Sequence, residues 1–218
     1  MVVQDSDNGF SETAATGERA GAARELPAEH ALLGLLLMSG GTAHGYDLAR
    51  QFRRGQPLGE VIRLEPAMLY KHLKKLARLG WLTMTTEDQA PRPPRQICHL
   101  TPGGHAELRR WLAEPVARTR EIRLEFLVKL YFAMNLEPEL AQRLIRDQHV
   151  VVEQLAESLA EQLRELDTDA SPTTGDDRLF HQLVLELRLE QTRAAADWLT
   201  QSARTLQTPQ QSASNVAR

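Results

Sequence analysis

Apolar residues recur every three or four positions along most of the chain, a spacing that is typical of amphipathic helices. The first three helices that this pattern predicts lie at 31–39, 44–54 and 66–79. The first ends at a Gly-Gly pair, and the third begins with Pro66, because proline is favoured in the first helical turn. The residues expected on the inner sides of these helices are Ala31, Leu32, Leu35, Leu36, Tyr46, Leu48, Ala49, Phe52, Leu69, Leu73 and Leu76.

After the third helix the pattern changes to that of strands. Residues 81–86 and 96–100 are rich in β-branched or apolar residues, and a segment rich in proline and arginine at 87–95 separates them. Two such strands joined by a loop predict a β-hairpin. The Thr-Pro pair that follows is typical of a helix N-cap with proline in the first turn. Three helices, a hairpin and a helix predict a winged helix-turn-helix domain at 28–115.

The remainder is also helical, so the predicted fold class is mainly α. Residues 119–203 form a second predicted domain, in which a polar break containing Pro172 and Gly175 separates the last two helices. Apolar positions in these helices recur at steps of three and four, which predicts a coiled-coil-like seam against another helix. Segments 1–27 and 204–218 lack this periodicity and are predicted to be a disordered extension and tail.

Charge divides the chain unevenly. The net charge is −3 over all 218 residues. Residues 44–118, however, contain 13 Lys and Arg against 7 Asp and Glu, so the rest of the chain carries −9. A basic segment inside an acidic protein is typical of a polyanion-binding module attached to a module of another kind.

The third predicted helix carries only positive charge on its polar side. The cations are Lys71, Lys74, Lys75 and Arg78. Because they are spaced i, i+3, i+4 and i+7, the other three fall within about 60° of Lys71 around the helix axis. Solvated faces usually mix both signs of charge, since like charges at this spacing destabilise a helix. No acid lies within 66–79, so the stripe predicts contacts with DNA phosphates.

We therefore predict a DNA interface formed by this helix, the start of the second helix and the hairpin tip. Its residues are His44, Tyr46, Met68, Tyr70, Lys71, Lys74, Lys75, Arg78, Arg92 and Arg95. Arginines in a stiff, proline-rich loop fit minor-groove or phosphate contacts. The alternative is a winged helix that binds protein instead of DNA, whose exposed face should carry aromatic residues or mixed charge.

Candidate catalytic and metal-binding groups are few. Cys98 and His99 are adjacent on a predicted strand, so they point to opposite faces and cannot form a thiolate–imidazole pair. The seven histidines lack a metal-binding spacing such as H-E-x-x-H. We therefore expect no enzymatic activity, no cofactor and no metal. A redox or metal sensor acting through Cys98 remains the alternative.

No stretch approaches the ~18 apolar residues that a membrane-spanning helix needs, and the N-terminus lacks the layout of a signal peptide. The single cysteine fits a reducing compartment. These features predict a cytoplasmic protein that does not associate with membranes.

Five short runs resemble the PadR family of bacterial transcriptional regulators. They are LGLL at 33–36, HGYDL at 44–48, LYKHLKKL at 69–76, LGWL at 79–82 and HLTPGG at 99–104. Residues 120–203 are similar to the virulence-regulator-type C-terminal domain of longer family members. The resemblance implies a cytoplasmic repressor that is dimeric through its C-terminal helices and that often responds to phenolic or drug-like molecules.

This architecture predicts a homodimer on a pseudo-palindromic operator in double-stranded DNA. The expected dimer interface consists of Leu127, Leu155, Leu159, Phe180, Val184, Leu187 and Trp198. A small aromatic or drug-like effector is expected at the junction of the domains, where a ligand can shift the separation of the recognition helices. The predicted pocket residues are Trp111, Phe126, Tyr131 and Phe132. Alternatively, these four aromatics form the core between the domains.

Overall fold

The computed structural model describes residues 27–89, 92–168 and 175–207. Most of the segments predicted to be disordered, 1–27 and 204–218, lie outside these residues, but 204–207 belong to the last helix, which corrects that boundary. Within the described residues the chain forms helices and one small sheet, which confirms the predicted mainly α class.

Residues 27–80 contain four helices and one short strand. They are α1 (Ala28–Met38), β1 (Thr42–His44), α2 (Gly45–Arg50), α3 (Pro57–Val61) and α4 (Pro66–Arg78). Helix α2 is shorter than the predicted helix at 44–54, because His44 has extended backbone and belongs to β1. The short helix α3 was not predicted, although Pro57 occupies its favoured first turn.

The sheet has three antiparallel strands in the order β1-β3-β2. Strands β2 (Leu82–Gln89) and β3 (Arg92–Leu100) form the wing. Both are longer than predicted, because their pairing continues as far as Gln89 and Arg92. The proline-rich segment thus belongs mostly to strands. Strand β1 pairs only with residues 97–99 of β3, so the prolines at 93–94 lie where one edge of β3 has no partner among the described strands.

Helix α5 (Pro102–Ala113) completes the winged domain. The Gly104 N–H donates to Thr101 Oγ1 at 3.1 Å, which confirms the predicted N-cap. One apolar core joins α1, α2, α4, α5 and the sheet. Its fully buried leucines include Leu32, Leu33, Leu36, Leu69, Leu73, Leu76 and Leu108.

The C-terminal part is entirely helical in the described residues. It consists of α6 (Thr119–Glu121), a π-helical turn (Ile122–Phe126), α7 (Leu127–Leu136), α8 (Pro138–Thr168) and α9 (Gly175–Gln207). Helices α8 and α9 are antiparallel, since His149 contacts Thr200 while Leu159 packs with Leu185. Helix α9 extends past the boundary predicted at 203.

Helix α7 contributes to both parts of the molecule. Val128 and Phe132 are fully buried in the winged-domain core. Leu130 and Ala133, on another side of the same helix, are buried in a second core with α8 and α9. The winged domain therefore packs directly against the C-terminal helices.

Candidate nucleic-acid interface

Helix α4 has one buried and one exposed side. Leu69, Leu73 and Leu76 are fully buried because their spacing places them on the same side of the helix. The exposed residues of the helix include Met68, Lys71, Lys74 and Arg78. Three of the four cations predicted to contact phosphates are therefore exposed to solvent.

Lys75 differs from the other three cations, which corrects the prediction of an unrelieved stripe. Its Nζ lies 3.0 Å from Oε1 of Glu29, and His72 Nδ1 lies 3.1 Å from the same oxygen. Glu29 is only 7% exposed and belongs to α1. An acid from a helix distant in sequence thus pairs with Lys75, and no local pattern could have revealed it.

The predicted contacts from α2 lie beside α4. Tyr46 is 59% exposed, with the Arg53 guanidinium 5.5 Å from its ring centroid, so the expectation that it faces inwards is wrong. Tyr70 is half-buried and lies close to the first residue of α2, since a Cβ added to Gly45 would lie 3.0 Å from its ring. Tyr70 therefore packs between the two helices.

The remaining predicted DNA contacts are at the sheet. His44 is half-buried at the end of β1, and its Nδ1 is buried without a hydrogen-bond partner among the described residues. Arg95 is exposed and pairs in register with Glu87 across the wing. The side chain of Arg92 lies outside the described part of the structure.

Cys98 and His99 face opposite sides of the sheet, as predicted. Cys98 is fully buried, and this burial raises the pKa of its thiol to about 11. The His99 ring lies between two hydroxyls, Thr42 Oγ1 at 3.2 Å and Thr85 Oγ1 at 3.0 Å. A protonated, buried thiol is a poor nucleophile and a poor metal ligand, which disfavours the sensor alternative.

Within residues 27–89, 92–168 and 175–207, no three His, Cys, Asp or Glu side chains come together as a metal-binding group. The same residues contain no helix with the length and apolar character needed to span a membrane.

Within the described residues, the four aromatics predicted to line an effector pocket are divided between two cores. Trp111 and Phe132 lie in the winged-domain core, whereas Phe126 lies in the second core. Trp111 stacks on His30 at 4.6 Å and donates its Nε1–H to Glu125 at 3.1 Å. These positions favour the alternative that the aromatics form the core between the domains, and Tyr131 lies half-buried against the winged-domain core.

A groove lies between residues 119–127 and helix α9. Its volume is about 600 Å³. Apolar lining comes from Ile122, Leu127, Ala194, Ala195 and Trp198, and polar lining from Thr119, Arg120, Arg123 and Gln191. This groove could not be predicted from the sequence, because it depends on the packing of two segments that are about 70 residues apart in the chain.

Helix α9 has an exposed apolar stripe. Its members are Leu179, Phe180, Leu183, Leu187 and Trp198. Three of these were predicted as interface residues, and Leu179 and Leu183 were missed although they follow the same helical spacing. Leu159 instead is buried against α9 of its own chain, which corrects its assignment to an interface, whereas Leu155 is half-buried beside the same cluster. Leu127 and Val184 are half-buried.

Comparison with known proteins agrees with this architecture. Residues 32–110 match the transcriptional regulator PadR-like family, and residues 122–207 match the family described as virulence activator alpha C-term. The negative transcriptional regulator PadR of Bacillus subtilis is 30% identical over 174 residues, which cover 78% of this chain and 92% of the relative. The probable transcriptional regulator Rv1176c of Mycobacterium tuberculosis is 30% identical over 172 residues, which cover 75% of this chain and 89% of that relative.

Solved structures are also similar in sequence. The crystal structure of Bacillus subtilis PadR in complex with operator DNA is 28% identical, covers 82% of this chain and 98% of its own, and has a TM-score of 0.39. The structure of the same protein in complex with p-coumaric acid is 28% identical and has a TM-score of 0.35. The match covers 82% of this chain and 97% of that protein's chain.

The winged helix and its exposed cationic recognition helix define a DNA-binding regulator. The chain belongs to the PadR-like family of transcriptional regulators, which confirms the resemblance seen in the sequence.

Proposed function

We propose that this protein is a cytoplasmic, non-enzymatic repressor that binds a pseudo-palindromic operator as a homodimer and is released by a small aromatic effector. The observation that carries the proposal is the exposure of Lys71, Lys74 and Arg78 on α4 while the leucines of the same helix are buried. The relative from Bacillus subtilis, named a negative regulator, supports repression.

Helix α4 is the element that would enter the major groove. Its 13 residues give a length of about 20 Å, enough to place several side chains along the base edges. The exposed lysines and Arg78 supply phosphate contacts, whereas Met68 is suited to apolar contact with a thymine methyl group. Exposed Arg95 on the wing would contact the adjacent phosphate backbone.

The stripe of α9 supports dimerisation through a second copy of the chain. It exposes Phe180 by 69% and Leu187 by 59%. Large apolar side chains exposed along one helix face are unfavourable in water and are typical of an interface. A two-fold axis across α9 would bury the stripes of both subunits against each other, and it would give the DNA site matching symmetry.

The groove beside α9 is the proposed effector site. Arg120 and Arg123 are suited to a carboxylate, while Trp198 and its apolar neighbours are suited to an aromatic ring. The complex of Bacillus subtilis PadR with p-coumaric acid, an aromatic carboxylic acid, supports this ligand class. Tryptophan fluorescence should report the binding of p-coumarate. Arg123→Ala should weaken this binding. Arg193 is an exposed arginine outside the groove, so Arg193→Ala should leave the binding unchanged.

The test of DNA binding is selection of bound duplexes from a random pool, which should return an inverted repeat. Replacing Lys71, Lys74 and Arg78 together by glutamine should then weaken binding to specific and non-specific DNA alike. The negative slope of log affinity against log salt concentration should become shallower by about 0.9 for each phosphate contact removed. An unchanged slope, or no enriched sequence, would favour the protein-binding alternative.

A further inference from the structure

The segment that joins the two domains is held by a buried glutamine. Gln148 of α8 is 1% exposed, and it makes two hydrogen bonds to the backbone of one residue in the linker, Val116. Its Oε1 accepts the Val116 N–H at 2.7 Å, and its Nε2 donates to the Val116 carbonyl at 2.9 Å. The amide thus replaces the pairing that a neighbouring β-strand would provide.

Other side chains of the C-terminal helices hold the rest of this linker, which we define as residues 114–118. The ammonium group of buried Lys129 donates to the Glu114 carbonyl. The Glu121 carboxylate accepts the Arg118 N–H at 3.1 Å. Glu114 also pairs with Arg110 of α5 at 2.7 Å, but from Val116 onwards these contacts come from the C-terminal side, and Val116 is buried in the core of the C-terminal helices.

The orientation of the winged domain depends on two connections, the packing of Val128 and Phe132 of α7 in its core and the position at which this linker is fixed. Helix α5 leads directly into it, so displacement of Val116 would rotate α5 and, through the shared core, the recognition helix α4. A dimer reads two half-sites only when its recognition helices keep a set separation. A small rotation at the linker therefore becomes a change in the preferred distance between half-sites.

We propose that Gln148 is a positioning residue that determines which half-site spacing the dimer accepts. The inference rests on the proposed operator-binding function. A side chain at this position must both donate and accept, because the Val116 N–H and carbonyl are buried and costly to leave unpaired. Leucine, of similar size, satisfies neither group.

The first experiment uses the inverted repeat selected by the unsubstituted protein, with its spacer lengthened or shortened by one and two base pairs. For Gln148→Leu, the ratio of affinities between the best spacer and the others should fall towards one, with the affinity for a single half-site unchanged. The matched control is Gln154→Leu, an exposed glutamine on the same helix, which should keep the ratio. An unchanged ratio in Gln148→Leu would overturn the proposal.

Gln148→Glu separates positioning from a general structural effect. A protonated carboxyl group donates through its O–H and accepts through its C=O, as the amide does, whereas the carboxylate can only accept. Burial favours the protonated form. Spacer discrimination by Gln148→Glu should therefore match the unsubstituted protein at about pH 5.5 and decline towards that of Gln148→Leu at about pH 8.5. Discrimination independent of pH in this variant would contradict the role.

A DNA-independent measurement distinguishes failure of this inference from failure of the proposed function. Spin labels on Ser39→Cys in the winged domain and Glu157→Cys on α8 report the distance between the domains, and buried Cys98 should remain unlabelled. Labelled chains are diluted with unlabelled protein so that only distances within one subunit are detected. Gln148→Leu should broaden the distribution. A distribution as narrow as that of the unsubstituted protein overturns the inference, whereas absence of a selected repeat overturns the proposed function.

Discussion

The ring of Phe132 occupies the space in which a side chain at Gly34 would begin. A Cβ added to Gly34 would lie 2.5 Å from Phe132 Cε1, closer than real Cβ contacts allow. Gly34 belongs to α1 of the winged domain and Phe132 to α7 of the C-terminal region. The glycine is thus required because helices of two domains approach each other closely, not because of its backbone conformation.

Gly34→Ala should therefore destabilise the protein by about 1–3 kcal/mol, since the fully buried Phe132 ring must move into surrounding side chains. Urea denaturation measures the change. Gly103→Ala is the matched control, because its added Cβ would have its nearest neighbours at 3.7 Å. That variant should be as stable as the unsubstituted protein or slightly more so. Equal stability of the two variants would mean that the Phe132 site is looser than the structure shows.

Lys74 should contribute more to DNA binding, and Lys75 should contribute more to the stability of the fold. Lys75→Gln removes a cation from nearly buried Glu29 and should lower the free energy of unfolding by about 1 kcal/mol. Lys74→Gln removes an exposed charge and should change it by less than about 0.5 kcal/mol. Lys74→Gln should weaken binding to a labelled DNA duplex more than Lys75→Gln does, as measured by fluorescence anisotropy. Equal losses of affinity would show that Lys75 also reaches a phosphate.

Phe180→Asp and Leu187→Asp should each convert the proposed dimer to a monomer, because a buried, unpaired carboxylate costs several kcal/mol at an interface. Light scattering and sedimentation measure the mass. Met134→Asp is the control, since Met134 is also exposed and apolar, at 47%, but lies on α7. Dimers that persist in both α9 variants would place the interface on another surface.

The Cys98 thiol should be unreactive in the folded protein, because burial raises its pKa to about 11. A thiol reagent at pH 7.5 should label it only after denaturation. The folded state also binds this proton more tightly than the unfolded state, in which the thiol has its ordinary pKa of 9.0. The stability contributed by Cys98 should therefore decline as pH rises above about 9 and should be unaffected below it. Cys98→Ala provides the comparison, and rapid labelling of the native protein would reopen the sensor alternative.

Much of this molecule is determined by local sequence. The spacing of Leu69, Leu73 and Leu76 fixes which side of α4 is buried, and Pro66 marks its first turn. Thr101 similarly determines the start of α5 through its own hydroxyl. These features could be predicted because each depends on residues within one or two helical turns. The same is true of the opposite orientations of Cys98 and His99, which follow from the alternation of a strand.

Tertiary structure decided the features that depend on residues far apart in sequence. The pairing of Glu29 with Lys75 spans two helices and removes one cation from a stripe that is uniform in sequence. The burial of Leu159 against α9 makes it a core residue, although its spacing is the same as that of an interface residue. The linker is held by Gln148, an isolated polar residue without a sequence pattern. An amphipathic pattern specifies that a face is covered, but only the packing of distant elements decides what covers it.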